Sequence, residues 1–412
     1  MSGICLVYGP ENAAVCAESM VRTMAAYGQQ SGVAAAAPSI AFGRAWHGRL
    51  PHEHMPEIDC DAIIVLVEGE IYDDRGVVPE PEALIRDLYE TGRIDQCAWL
   101  NGTFAAIICD IPQKKVHLVS DRVGSRPLFV YNGKNHLAVA SRLDALLSDT
   151  RIPRKLSLQG LTELISFQRT VADHTQYQEI GALPAAALWT VSDGALSKRQ
   201  VRRLAWRNPE VGKAEMAEQL AEALKGAARR RTSDTENCGL LLSGGLDARW
   251  VLAAARACGV LPSCITAGPE DNFEVDVARR TAAMAGAPFE FMHNPPLSLS
   301  SALDAATTAS HGLFAAPINL FGLLPSMAKQ HDVLLSGHGL DYTLRGYYLP
   351  CVMLRIGHSA TRLPRLRKIP DGSPKTVANS LRIAIGQQSL EQILVPAVRK
   401  EWDERRYAAM AA

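Results

Sequence analysis

No Cys-x-x-Cys pair occurs in this chain of 412 residues, although it has nine cysteines, at positions 5, 16, 60, 97, 109, 238, 258, 264 and 351. Several lie in apolar runs such as Ala105–Cys109, so they read as reduced core residues of a cytoplasmic protein. Charge of one sign is not in excess either: Lys plus Arg number 43 and Asp plus Glu number 43. With no basic stripe carrying interleaved aromatics, nucleic acid is not expected as a partner. The triplet Arg229-Arg230-Arg231 reads as a solvated helix end, the alternative being a polyanion site. No basic n-region precedes the strand-like start, so no signal peptide is expected. The longest apolar stretches are too short to span a bilayer, and no membrane association is expected. Internal repeats and low-complexity tracts are lacking.

The most informative stretch is Leu240-Leu241-Leu242-Ser243-Gly244-Gly245-Leu246-Asp247-Ala248-Arg249. An apolar run breaks into Ser-Gly-Gly and then opens an Ala-rich amphipathic helix. Glycines let the backbone approach an anion, and the helix start offers unpaired N–H groups with partial positive charge. No Lys closes the turn, so it is not a Gly-Lys-Ser/Thr P-loop. Nucleotide or phosphate binding is expected, a plain strand-to-helix turn being the alternative.

The length allows two domains. Up to about residue 150 the strands Gly3–Tyr8, Ala62–Val67, Thr103–Asp110, Val116–Ser120 and Leu137–Ser141 accompany only two helices, Ala14–Tyr27 and Glu80–Thr91. That pattern predicts stacked antiparallel sheets in an α+β layer fold. Residues 151–210 are mixed, with Lys198–Arg207 as a charged linker. From about 211 strands and helices alternate: helix Lys213–Arg230, strand Cys238–Leu242, helix Ala248–Ala257, strand Ser263–Ala267, helix Glu274–Ala285, strand Phe289–His293, two helices within 299–330, and strand Val333–Ser336. Alternation of this length implies an α/β doubly wound parallel sheet, whose ligands bind beyond the carboxyl ends of the strands at the switch point. Ser243-Gly244-Gly245 and Ser336-Gly337-His338-Gly339 should meet there. Asp247 and Asp341 would then supply two carboxylates for Mg²⁺ beside phosphate oxygens.

Those paired motifs, about ninety residues apart, resemble the synthetase domain of the asparagine synthetase superfamily, whose pyrophosphatase-type loop handles ATP. The N-terminal half is similar to the same family at Met1-Ser2-Gly3-Ile4, Val67-Glu68-Gly69-Glu70-Ile71-Tyr72 and Ser120-Asp121-Arg122-Val123-Gly124-Ser125-Arg126-Pro127-Leu128. The resemblance implies an Ntn-hydrolase-like sandwich of antiparallel sheets over residues 1–205, a degenerate glutamine amidotransferase-like domain. It further implies an ATP-pyrophosphatase-type synthetase domain over 206–412.

Three departures from the family pattern fall in one site. Ser2 stands where the glutaminase has its nucleophilic Cys, a weaker nucleophile without a base. Glu68 stands at the oxyanion-hole Asn, where its carboxylate would repel the developing charge. Ala25-Ala26-Tyr27-Gly28-Gln29-Gln30 replaces the loop that grips glutamine. No glutaminase activity is expected. A synthetase loop without a glutaminase resembles the β-lactam synthetases and lasso-peptide cyclases, which adenylate a carboxylate with ATP and let an amine of the same molecule attack it.

Carried over by position, Ser243, Gly244 and Gly245 would bind pyrophosphate, Asp247 would join the ATP site through the metal, and Leu241, Ala267, Ser336 and Gly337 would line the adenosine pocket. Asp247 and Asp341 would hold Mg²⁺, with Asp341 alternatively a helix N-cap. His338 would take the proton from the attacking amine, or else only hydrogen-bond backbone. His311 could face the same pocket. Glu274 and Asp276 open a helix, where charge compensation and metal binding explain them equally well. Resembling enzymes use a late lysine in catalysis; Lys368, Lys375 and Lys400 are available within the 71 residues after Asp341, none in a matching context. A truncated chain, a partner protein or altered catalysis would each account for that. Residues 342–370 should border the substrate pocket, or form a packed helix with a basic end. The expected substrate carries a carboxylate and an amine; a homodimer, an intermolecular amine ligase and a non-catalytic nucleotide-binding partner remain open readings.

Overall fold

The computed structural model describes residues 2–9, 11–25, 30–48, 53–55, 62–202, 210–294, 303–304, 306–307, 310, 323–340, 351–356, 359–367, 373, 375, 378 and 396–411. In the N-terminal half, eleven strands form two antiparallel sheets. The first has the order β2-β3-β1-β8-β7-β9, built from β1 (Gly3–Tyr8), β2 (Gln30–Ala37), β3 (Ile40–Trp46), β7 (Phe129–Gly133), β8 (His136–Ala140) and β9 (Ile180–Ala182). The second, β11-β10-β6-β5-β4, comprises β4 (Ile63–Tyr72), β5 (Asn101–Asp110), β6 (Lys115–Ser120), β10 (Ala187–Ser192) and β11 (Ala195–Gln200).

Period-two alternation explains why these strands are apolar on both faces. Ile4 and Leu6 of β1 face Ile64 and Leu66 of β4 and Ala105 and Ile107 of β5 in the core between the sheets. The intervening Cys5 and Val7 point outward under α1 (Ala13–Met24) and α3 (Leu143–Leu146). Val65, Val67, Phe104 and Ala106 likewise point out under α2 (Pro81–Glu90). The result is a four-layer sandwich, as expected for an Ntn-hydrolase-like fold. Burial pushes the Cys5 thiol up to about 12, so it packs as an apolar group. The seven cysteines with described side chains are all free.

In the C-terminal half α5 (Lys213–Arg231) precedes a parallel sheet of order β14-β13-β12-β15. Its strands are β12 (Cys238–Leu241), β13 (Ser263–Gly268), β14 (Phe289–His293) and β15 (Val333–Ser336), connected by α6 (Leu246–Ala257), α7 (Phe273–Ala285) and α8 (Leu324–Gln330). The chain winds outward from β12 to β14 and then returns to the other side of β12, which creates the switch point between β12 and β15. Leu240, Leu252, Ala255, Cys264, Ala278 and Leu335 form the core under it. No helix among the described residues is long and apolar enough to cross a membrane.

Two expectations are corrected. The charged stretch starting at Lys198 is not all linker: Ala195–Gln200 pairs with Ala187–Ser192 as an edge strand, which tolerates Lys198 and Arg199 because one side faces solvent. The alternative of a packed helix within 342–370 gives way to an antiparallel hairpin, β16 (Cys351–Ile356) with β17 (Ser359–Arg367). Of the two helices within 299–330, the second is seen as α8, and most of the first stretch lies outside the described residues.

Helix α4 (Leu158–Phe167) packs against the last described helix, α9 (Pro396–Ala411). Phe167 packs with Ala378 and Ala409, and Gln159 Nε2 donates to the Arg405 carbonyl at 2.9 Å. Glu163, fully buried on α4, accepts from the Val171 amide at 2.8 Å and pairs with His174 Nδ1 at 2.6 Å. That hydrogen bond raises the His174 pKa above the ordinary histidine value. A raised folded-state pKa means the pair's stabilisation is complete below about pH 6.5 and is lost as pH rises through the folded value. Urea unfolding between about pH 5.5 and about pH 8.5 should therefore show Glu163→Gln least stable relative to the parent at the acid end, the gap narrowing with pH; a pH-independent gap would refute the pairing.

Candidate functional site

Strand register brings the two motifs together. In the β12–β15 pairing Leu241 lies opposite Ser336, so Ser243-Gly244-Gly245 and Gly337-His338-Gly339 leave the sheet side by side. A Cβ built on Gly337 would stand 2.8 Å from the Asp247 carbonyl carbon and 2.8 Å from the Ala248 nitrogen. The second motif thus touches the first turn of α6 directly, and only glycine permits it. Gly244 is confined on its other side, where a Cβ would meet Val277 at 3.2 Å.

The loop is held by bonds to backbone. Thr266 Oγ1 donates to the Leu242 carbonyl at 2.6 Å, and Arg249 Nη2 donates to the Gly244 carbonyl at 2.6 Å. Neither Thr266 nor Arg249 was a site residue by sequence, because a side chain that binds main chain leaves no motif. Gly245 is the N-cap of α6 and no side chain caps it. The helix therefore offers its first amides and the positive end of its dipole to the exposed Ser243–Gly245 turn.

Ser243 and Ser336 are exposed, Asp247 is half-buried in the first turn of α6, and Leu241 and Ala267 are half-buried at their strand ends. His338 is exposed, and its amide donates to Ser336 Oγ at 3.1 Å. Asp341, His311 and Lys368 lie outside the described residues, and nothing is described of the Lys400 side chain. Asp276 is engaged by Arg279 at 2.6 Å, which accounts for it without a metal, while Glu274 stays exposed. Among the described residues no three His, Cys, Asp or Glu side chains gather into a metal site. The side chains these two turns carry, the Asp247 carboxylate and the Ser243 and Ser336 hydroxyls, are hard oxygen donors of the kind Mg²⁺ takes.

At the opposite site, the N-terminal sandwich buries Glu68 to 5% exposure, and its Oε2 has no hydrogen-bond partner. Desolvation pushes its pKa up to about 7, against the pull of Arg126, the Ser141 hydroxyl and Arg44, and with Glu53 adding repulsion. Arg44 is itself committed to Glu82 at 2.8 Å and to the His54 carbonyl at 2.7 Å. Beside half-buried Ser2, the space at Gly3 is filled: a Cβ there would lie 2.5 Å from Met24 Sδ.

A family model for a glutamine amidotransferase domain matches residues 79–202, and one for asparagine synthase matches residues 219–410. The chain belongs to the asparagine synthetase-like superfamily. Among relatives of this superfamily member, asparagine synthetase [glutamine-hydrolyzing] 2 of Bacillus subtilis is 26% identical over 217 residues, 45% of this chain and 28% of the relative. Asparagine synthetase of Cricetulus griseus is 26% identical over 311 residues, 68% of this chain and 53% of the relative. The chain thus spans about half or less of the curated relatives it matches. Among solved structures, glutamine phosphoribosylpyrophosphate amidotransferase from B. subtilis, complexed with ADP and GMP, overlaps 84% of this chain and 92% of its own at 10% identity, with a TM-score of 0.37. The NH3-dependent NAD synthetase of Campylobacter jejuni overlaps 47% of this chain and 96% of its own at 16% identity, with a TM-score of 0.24.

Two substitutions probe these sites. Gly337→Ala inserts a methyl into backbone contact and should cost ~1–3 kcal/mol by urea unfolding and abolish the thermal shift produced by ATP; an unchanged shift would exclude the loop contact. Glu68 has a raised folded-state pKa, so it weakens the fold as pH rises from its ordinary value through about 7. Glu68→Gln should be close to neutral at about pH 4.5 and stabilising by about 2–3 kcal/mol at about pH 8; equal effects at both would refute the burial argument.

Proposed function

We propose that this superfamily member is an ATP-dependent, AMP-forming amide synthetase. It activates a substrate carboxylate and joins it to an amine, intramolecularly as in β-lactam synthetases or lasso-peptide cyclases, in the biosynthesis of a specialised metabolite. The observation that carries the reading is the contact of Gly337 with Asp247–Ala248, which makes one site of two motifs at an uncapped helix start.

ATP is a substrate here. The Ser243–Gly245 turn and the α6 amides bind its β- and γ-phosphates as they leave, while Leu241, Ala267 and Ser336-Gly337 flank the adenosine. The substrate carboxylate oxygen bonds to the α-phosphorus and pyrophosphate departs; the amine nitrogen then bonds to the acyl carbon, AMP departs with the C–O electron pair, and the ammonium proton is lost. Positioning and charge neutralisation do the work, with little covalent help from the protein. Asp247 and Asp341 would hold Mg²⁺, which supplies charge to the phosphates when bound. His338, exposed beside the loop, is the candidate acceptor of the amine proton. Glu68 supports a sandwich that hydrolyses no glutamine, because a carboxylate there opposes an oxyanion and a buried neutral acid leaves no room for one.

The test is pyrophosphate release from ATP across a panel of amino acids and peptides carrying both a carboxylate and an amine, without ammonia or glutamine. Asp247→Asn should lower release at least about a hundredfold, with cyclic product formed by the parent. Product only with added ammonia would favour intermolecular transfer, and nucleotide binding without turnover on any carboxylate would sink the synthetase reading.

A further inference from the structure

One side of the sandwich holds a cavity between two edge strands. β9, only 3 residues long, ends the first sheet, and β11 ends the second at the edge opposite β4. Between them lies a space of about 250 Å³, lined by Asp173, His174 and Glu179 of the loop before β9, Trp189 of β10 and Lys198 of β11. It is separate from the site that resembles a glutaminase: Glu68 lies on β4, at the far edge of the second sheet, and Ser2 precedes β1, in the interior of the first. The volume falls below the roughly 300–1,000 Å³ of sites for drug-sized ligands and suits a molecule the size of an amino acid.

The loop that walls the cavity is held in place by its own bonds. Buried Thr175 Oγ1 donates to the Ile180 carbonyl at 2.7 Å and accepts from the Tyr177 amide at 3.1 Å, while the Asp173 carbonyl accepts from the Ala182 amide at 2.9 Å. Gly181 lets this loop lie on the indole, since a Cβ there would stand 3.0 Å from the Trp189 ring. Such a wall is formed before any ligand arrives, which lowers the entropy cost of binding.

Two cationic and two anionic side chains line the space, and each has bonding capacity left. Lys198 Nζ pairs with Asp173 Oδ2 at 2.5 Å and sits 4.5 Å from the Trp189 ring centroid. Asp173 Oδ1 and the Glu179 carboxylate take part in no hydrogen bond or ion pair among the described residues. His174 spends Nδ1 on buried Glu163 at 2.6 Å, so Nε2 is the atom it has left, and the same carboxylate favours the ring's charged form.

We propose that this cavity binds a free amino acid as its zwitterion, with the carboxylate on Lys198 and His174 and the ammonium on Asp173 and Glu179 beside the Trp189 ring. A singly charged ligand would meet two like charges on the wall, whereas a zwitterion gives each pair its opposite and forms charge-assisted hydrogen bonds to both. The indole face that Lys198 covers attracts an ammonium in the same way. Glu163 Oε1 also accepts from Gln159 Nε2 at 2.8 Å, and that amide reaches the Arg405 carbonyl of α9, so the wall of the cavity is bonded through to the end of the chain.

The probe is a mixture of the common amino acids, screened against the full chain by saturation-transfer NMR, with the best binder then titrated calorimetrically. The expected result is binding of at least one amino acid, weakened at least about tenfold in Asp173→Asn/Lys198→Gln, with acetate and methylammonium each binding far more weakly than the amino acid. Circular dichroism checks the fold of the double variant, and Lys198→Gln alone replaces it if it fails to fold. No amino acid bound by the parent, or acetate or methylammonium bound as tightly, would overturn the site. Equal affinity in the parent and the variants would also overturn it, by placing the amino acid elsewhere, such as among the substrates of the synthetase half. None of these outcomes touches the pyrophosphate-release assay, which these variants should pass unchanged.

Discussion

The parallel pairing of β12 with β15 is the constraint on which the synthetase half depends. These strands are separated by about ninety residues, yet their starts are pinned by Asp332, whose amide donates to the Asn237 carbonyl at 2.9 Å and whose carboxylate accepts from Asn237 Nδ2 at 3.2 Å. From there four residues of ladder deliver Leu241 opposite Ser336. A slip of one residue would turn Leu240 and Leu335 out of the core and part the two glycine turns. Sheet register and ligand geometry are therefore the same property here, and the absence of any side chain at Gly337 is what lets one act on the other.

The sandwich depends on a different device, buried carboxylates with unequal fates. Asp121 is saturated with amide donors and holds its turn still. Glu68, two strands away on β4, has a bare oxygen, and burial pushes its pKa up to about 7. The same chemical group stabilises in one place and strains in the other because Asp121 has three amide donors while one oxygen of Glu68 has none. The turn Asp121 organises also places Arg122, whose Nε donates to the Trp99 carbonyl at 2.8 Å.

How far the sequence reveals this follows from what each element carries. Strands such as Gly3–Tyr8 and Val333–Ser336 were legible because branched and long apolar residues mark them against helices of clear period. Gln30–Ala37 and Ile40–Trp46 were not: the first is mostly Ala, Gly and Ser, and the second mixes Ile40, Phe42 and Trp46 with Gly43, which lets α1 lie close, the Val21 methyl being only 2.3 Å from where a Cβ on Gly43 would stand. Ala195–Gln200 was hidden by its charges, which an edge strand accommodates. The meeting of the two glycine motifs was readable from their positions after strands in a doubly wound pattern. Thr266 and Arg249 were not, since both act on carbonyls. The arginine triplet was legible as the end of α5, but nothing local reveals that Asp74 and Tyr72 meet Arg229 and Arg231.

Helix α9 has a consequence for how the chain is made. Its docking partner α4 is synthesised some 240 residues earlier, and Phe167 on α4 is covered by the Ala378, Ala409, Val171, Tyr407 and Met410 cluster and by the Arg406 guanidinium, 6.0 Å from its ring centroid. Until the segment 396–411 clears the ribosome, that apolar surface stays open, and the emerging chain must carry it through the whole synthesis of the parallel sheet. The contact is thus a late clasp, and the cover of Phe167 is conditional on a helix translated after the whole parallel sheet.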